Sequence, residues 1–293
     1  MIESWYDKSV ALLSLQSPPA GGYPDLSPKS AAVSAVGGVT VSTAQYLRHG
    51  SSAQFDGAGH ILIGDSTTLD FGTGAFTVLL LIRPTSAPGN NVLLASSHAT
   101  WSTGAVVFRF SAGKLICYNY VQQSALIASA SSIPLNAWTA VEFNGTGSVT
   151  RLFLNGILDA TGAQAAAVNF GGNGGARLGS AAFDPGFIGQ MQEFAAIKGI
   201  ALHTANYAPE QICGTISNAA AAPVRDAVGN AAIRTVQAIP RATATSKRIF
   251  IGASGADGRY RLEVPMLEHN VLFLDDDPAP VYADKLASRV IPS

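Results

Sequence analysis

Short segments in which apolar and polar residues alternate recur along the whole chain, and no stretch has the length and 3.6-residue period of the amphipathic helices an α/β fold needs. A period of two places successive side chains on opposite faces of an extended strand. The chain is therefore expected to be all-β. Strands are predicted over Val10–Leu15, His60–Ile63, Phe76–Ile82, Asn91–Ala95, Ala105–Phe110, Lys114–Tyr120, Trp138–Phe143 and Val149–Leu154, with turn-forming residues between them. Such even spacing signals a sandwich or barrel. The sharpest local signal lies in Arg151–Leu158, where Asn155-Gly156 separates two apolar alternations. A type I′ hairpin needs φ > 0 at both central positions, and Asn-Gly supplies it at the least steric cost.

A chain of 293 residues has room for one large domain and one small one. The predicted division is a large sandwich over residues 1–212, an Ala-rich linker without core periodicity over 213–226, and a small β module over 227–293. A short helix is expected around Thr204–Ile212. In the module, strands are predicted at Ala231–Ile239, Lys247–Ile251, Arg259–Val264 and Asn270–Leu274, with a turn at Ala256-Asp257-Gly258.

A formal net charge of -1 offers no electrostatic reason to bind nucleic acid or an anionic membrane surface. Charged residues make up 13% of the chain, against roughly 25% in ordinary soluble domains, so much of the surface is small and neutral. The longest apolar run, Phe76 to Ile82, is too short to cross a bilayer, and Met1-Ile2-Glu3-Ser4-Trp5 lacks the basic start of a secretion signal. The expectation is a soluble, unprocessed protein without membrane insertion. Cys117 and Cys213 read as buried free thiols, since neither has metal-site spacing.

Each candidate for chemistry lacks a partner. Gly64-Asp65-Ser66 after a predicted strand looks like the start of a serine esterase, yet none of the five histidines has an Asp three residues before it. Paired carboxylates for glycoside hydrolysis are absent, because the acidic residues are scattered and Glu193 is followed by Phe194-Ala195-Ala196. The glycine-rich runs Gly171–Gly175 and Gly252–Gly255 lack the Lys-Ser/Thr of a phosphate loop. Asp275-Asp276-Asp277 could ligate calcium or form a solvated turn. No catalytic residue and no metal site are nominated.

Two sets of residues remain as binding candidates. Trp101, Tyr118 and Tyr120 could stack on sugar rings or belong to the core, whereas Trp138, opening a strand with Val141 and Phe143, is assigned to the core. The Phe76–Ile82 strand is apolar on both faces; cover for Leu79 and Leu81 could come from the chain's own loops or from a neighbouring subunit.

An ordered set of motifs resembles the laminin-G/concanavalin A-like jelly-roll domains. It consists of Ser52-Ala53-Gln54-Phe55-Asp56-Gly57, Phe71 to Val78 with Ile82-Arg83-Pro84, Trp138 to Val141, the Leu154-Asn155-Gly156 hairpin, and Gly189 to Phe194 with Lys198 to Ala201 and Thr204 to Tyr207. The last block, with Trp5-Tyr6-Asp7 and Asp25 to Lys29, is similar to the form found in bacteriophage virion proteins. Residues 228–292 are similar to the small transthyretin-like or immunoglobulin-like modules that end phage tail proteins. This resemblance implies a non-enzymatic virion component of the tail tip, fibre or baseplate, in contact with other virion proteins and able to touch host-surface glycans; a homo-oligomer is the expected state. A capsid decoration protein, or a glycan-binding module of a cellular surface protein, is the alternative. Many relatives carry a structural calcium. Here Met191-Gln192-Glu193-Phe194-Ala195 stands where the family often has Ile-Asp-Glu-Val-Arg, which removes a ligand, so no cofactor is expected.

Overall fold

The alternating segments become two antiparallel sheets packed face to face. The structure, a computed structural model, describes residues 3–16, 22–48, 50–86, 89–97, 106–181, 184–217, 235–240, 250–253, 255, 259–266, 269–274, 285–290 and 292. Two compact units divide the chain: Lys8–Glu210 forms one, and Met1–Asp7 with Gln211–Ser293 the other.

In the larger unit the first sheet runs Ile157–Ala163, Val149–Leu154, Thr139–Thr146, Ala75–Pro84, Ile188–Lys198, Ser52–Asp56 and Thr40–Ser42, with Ser9–Leu13 also paired to Ile188–Lys198. The second runs Ser124–Ala128, Lys114–Asn119, Val106–Ser111, Val92–Ser96, Ala176–Leu178, His60–Ile63 and Val33–Val36. This is the expected all-β jelly-roll sandwich. A single-turn helix at Glu3–Tyr6 is the one α-helix among the described residues.

Inward positions of both sheets form one core. Phe76 and Phe143 from the first sheet meet edge to face at 5.0 Å, and Phe143 stacks on Phe108 of the second at 5.7 Å. Such aromatic pairs contribute about 0.5–1.5 kcal/mol beyond the area they bury. Trp138 departs from expectation: it is half-buried and outside the core cluster. Alternation turns Thr139, Val141 and Phe143 inward, which leaves the preceding residue outside.

The Asp25-Leu26-Ser27-Pro28-Lys29 turn ties the first strand in place. The buried Asp25 carboxylate accepts from Leu12 N at 2.8 Å, Ser27 N at 2.9 Å, Ser27 Oγ at 2.8 Å and Ala31 N at 2.6 Å. Burial raises its pKa against the lowering effect of those four donors.

Residues 204–212 contain no helix. The segment from Gly199 to Glu210 instead runs as a strap over the outer face of the first sheet. Thr77 Oγ1 donates to Ile200 O and accepts from Leu202 N, Asn144 Nδ2 donates to His203 O, and Tyr207 N donates to Gly156 O. Partners offered by the sheet replace the internal bonds a helix would have made.

In the smaller unit, Phe250–Ala253, Thr235–Pro240, His269–Leu274 and Lys285–Val290 form a four-stranded antiparallel sheet around buried Val236, Ala238, Phe250 and Val271. Cys213–Ser217, expected as the start of the linker, is a strand paired with Arg261–Pro265. The rest of the predicted linker lies outside the described residues. Both cysteines are buried thiols outside any disulfide.

Candidate functional site

Strands Val106–Ser111 and Lys114–Asn119 of the second sheet are joined by a tight turn, with Ala112 and Gly113 both at positive φ, 50° and 79°. Their register pairs Tyr118 with Val107 and Ile116 with Arg109. Leu115 and Cys117 point into the core, so Ile116, Tyr118 and Tyr120 fall on the outer face together with Val107 and Arg109.

There the side chains form a small platform. The rings of Tyr118 and Tyr120, both half-buried, meet edge to face at 4.8 Å. The Arg109 guanidinium lies 5.7 Å from the Tyr118 ring centre and 5.9 Å from that of Tyr120, within cation–π range. Arg109 also donates to Asp184 Oδ2 at 2.8 Å, and Tyr120 hydrogen-bonds the same carboxylate. Burial is the main cause that raises the Tyr120 pKa, with smaller contributions from Asp184 and Tyr118, while Arg109 opposes the shift. Beneath lies a small apolar cluster of Val92, Ala95 and Val107, against which Tyr120 and Ala181 pack. The platform offers fixed aromatic surface beside an already neutralised ion pair. Trp101 lies outside the described residues.

The outer face of the first sheet differs in every respect. Leu81 is buried at 4% exposure and Leu79 is half-buried within the single chain, so the cover at Leu81 is intramolecular. The strap contributes His203 and Tyr207, whose rings stack at 3.5 Å and 3°. Under them Glu142 is fully buried: its carboxylate takes a 2.6 Å contact from His203 Nδ1 and accepts from Asn144 Nδ2 at 2.6 Å and from Tyr207. Burial, then the Glu142 charge, raises the Tyr207 pKa. On the same face, the buried Gln192 amide accepts from Leu47 N and Arg48 N and donates to Arg48 O, while Arg48 pairs with Glu193 at 2.6 Å.

The esterase lookalike is a turn. Asp65 Oδ1 accepts from the backbone N–H and the hydroxyl of both Thr67 and Thr68, which pulls its pKa down to about 2. Its Oδ1 is occupied in capping the turn. Among the described residues no three His, Cys, Asp or Glu side chains come together as a metal site, and Asp275, Asp276 and Asp277 lie outside them.

A model of the concanavalin A-like lectin/glucanases superfamily matches residues 55–203, just over half of the chain. The chain belongs to that superfamily. The matched span runs from the strand before the Asp56-Gly57 turn to the strap histidine, and so includes both outer faces of the sandwich. Among solved structures, this superfamily member resembles Domain 4 of AbnA, an extracellular arabinanase from Geobacillus stearothermophilus, in complex with arabinotriose. The TM-score is 0.51 at 16% identity, over 66% of this chain and 93% of that one. It also resembles the binding domain of Paraclostridial Mosquitocidal Protein 1, with a TM-score of 0.53 at 11% identity over 97% of this chain and 76% of that one. At such identities the likeness is one of fold. No curated protein sequence matches the chain.

The platform's tyrosines were legible because they alternate on one strand. Arg109 and Asp184 were not, since a residue 75 positions away supplies the carboxylate and no local pattern couples the two.

Proposed function

We propose that this superfamily member recognises glycans without chemically altering them, through the Tyr118–Tyr120 platform, and that it does so as a component of a bacteriophage virion, in the tail. The observation that carries the glycan reading is the pair of half-exposed tyrosine rings at 4.8 Å, buttressed by the Arg109–Asp184 ion pair on the outer face of the second sheet. Fixed aromatic rings offer the apolar faces of sugars a surface that costs little ordering, and a few placed polar groups then set orientation. The arabinotriose complex of a domain with this fold lends precedent.

The virion setting rests on sequence resemblance at Trp5-Tyr6-Asp7, Asp25 to Lys29 and Lys198 to Tyr207, and on reading the smaller unit as a transthyretin-like or immunoglobulin-like tail module. In that setting the partners are other virion proteins and further copies of the chain, and the target is a host-surface glycan. The experiment has two arms. Mass spectrometry of purified particles detects the chain if it is a virion protein; its absence from them sinks that half. Arrays of bacterial surface glycans give saturable binding by the intact protein that Tyr118→Ala and Tyr120→Ala each reduce at least tenfold. Binding unchanged by both substitutions removes the platform from the reading.

A further inference from the structure

A second patch of chemistry lies on the outer face of the second sheet, away from the tyrosines. Ile61, Ile63, Ala176 and Leu178 point into the core, so alternation turns His60, Leu62 and Arg177 outward. Register sets Ser34 opposite Leu62 on one side and Arg177 opposite it on the other. Three side chains able to donate hydrogen bonds, Ser34, His60 and Arg177, thus surround one leucine.

Each of the three lacks a hydrogen-bond partner. Arg48, Arg83 and Arg109 donate to Glu193, Gln190 and Asp184, whereas the half-buried Arg177 makes no hydrogen bond among the described residues. Its Nε is buried without an acceptor, which leaves Nη1 and Nη2 as the donors that reach the surface. The His60 ring nitrogens and the Ser34 hydroxyl are neither buried nor bonded among the described residues. A half-buried charge without a counter-charge is costly, and the strands on this part of the face, Val33–Val36, His60–Ile63, Ala176–Leu178 and Val92–Ser96, contain no Asp or Glu. The two strands that flank His60 bring it Arg177 as their one charged residue. Burial first, and the Arg177 charge second, hold the His60 pKa below its ordinary value.

We infer that Ser34, His60 and Arg177 form a binding site for a phosphoryl group, free or esterified. A guanidinium presents parallel N–H donors that match phosphate oxygens, and the hydroxyl and the imidazole add donors from two further strands. A tetrahedral phosphate turns oxygens toward all three, whereas a planar carboxylate has two to share. Bound phosphate places negative charge beside His60 and favours the imidazolium, so binding and protonation of His60 reinforce each other. Arg177 stands three strands from Tyr118, about 14 Å at the ~4.8 Å spacing of neighbouring strands. The phosphoryl site and the tyrosine platform are therefore separate and share one face.

The test is an NMR titration of the intact chain, in a buffer free of phosphate, with inorganic phosphate, with glycerol phosphate as an ester and with acetate as a planar carboxylate. Phosphate should shift the amides of Val33–Val36, His60–Ile63 and Ala176–Leu178 saturably, with a Kd on the order of millimolar, as expected for so small a ligand. It should also raise the His60 pKa, and acetate should bind at least tenfold more weakly. Arg177→Gln should abolish the phosphate shifts and, without phosphate, raise the His60 pKa because the repelling charge is gone. Ser34→Ala, at an exposed position, should weaken binding about threefold, the worth of one hydrogen bond. An equal response to the ester assigns the site to phosphoryl groups carried on larger molecules, and a response to inorganic phosphate alone assigns it to the free ion. Silence of these amides with both phosphates, equal affinity for acetate, or parental affinity in Arg177→Gln overturns the inference. Tyr118→Ala should leave phosphate binding at the parental level, so this site and the glycan platform fail separately.

Discussion

The two outer faces of the sandwich solve the same problem in opposite ways. Both sheets carry apolar residues outward, Leu79 and Leu81 on one, Val92, Ala95 and Val107 on the other. On the first sheet the chain lays its own strap across the surface and anchors it on a fully buried carboxylate, with His203, Tyr207 and Asn144 converging on Glu142. On the second sheet the apolar patch is smaller; Tyr120 and Ala181 pack against it, and Tyr120 meets the equally half-exposed Tyr118 beside the Arg109–Asp184 ion pair. The first face is closed by the strap, and on the second two tyrosine rings stay half-exposed. An apolar outward strand thus states that a face needs cover, and only the rest of the chain decides who provides it.

The sharpest way to break this contrast is to empty the anchor. Glu142→Ala leaves three buried or half-buried donors facing a void, and losing one member of a buried charged cluster costs about 3–5 kcal/mol. Equilibrium denaturation should show that loss in the larger unit, while glycan binding by the surviving folded protein stays at the parental level. A smaller effect is expected where the strap meets the hairpin. Gly156 sits at φ +77°, and a Cβ there would lie 2.0 Å from Tyr207 O. Gly156→Ala should cost about 1–3 kcal/mol through backbone strain and displacement of the strap, read as a lower denaturation midpoint and faster amide exchange at Tyr207.

On the open face the order of effects reverses. Tyr120→Ala should lower stability by about 1–3 kcal/mol, through the lost ring pair, its packing on Val92, Ala95 and Val107 and its hydrogen bond to Asp184, yet abolish most of the glycan binding. The smallest effect concerns Asp65. Its folded pKa, near 2, lies below the ordinary carboxylate value, so its turn is stabilised above the usual carboxylate range and loses that support as pH falls through about 2. Asp65→Ala should flatten the acid limb of the stability profile between pH 4 and pH 2, leaving neutral-pH binding by the tyrosines untouched.

How much of this could be read in advance follows from local against distant causes. His60–Ile63 and Val149–Leu154 coincide with predicted strands, because clean alternation and turn residues bound them. The longest strand, Ile188–Lys198, was not predicted as one, and its bulge gives the reason. Glu193, at φ +47°, is an extra residue between Gln192 and Phe194, so the inward positions are Met191, Phe194 and Ala196 and the period of two is broken in mid-strand. The strap was misread as a helix for a related cause. Ala205, Glu210 and Gln211 within Thr204–Ile212 are residue types that helices accept, but the groups that satisfy the strap's backbone, on Thr77, Asn144 and Gly156, come from residues 51 to 125 positions earlier. The platform shows the same division: Tyr118 and Tyr120 were visible on their strand, whereas Arg109 and Asp184 meet only in the fold.

The Asn155-Gly156 turn, first noticed as a hairpin signal, has a genetic consequence. Asn155 fastens Ala140 through both its backbone N–H and its side-chain oxygen, and Gly156 O receives Tyr207 N of the strap. Lesions there should be pleiotropic, and second-site revertants that restore folding should map to Tyr207 or Pro209, the residues a new Cβ at position 156 would strike.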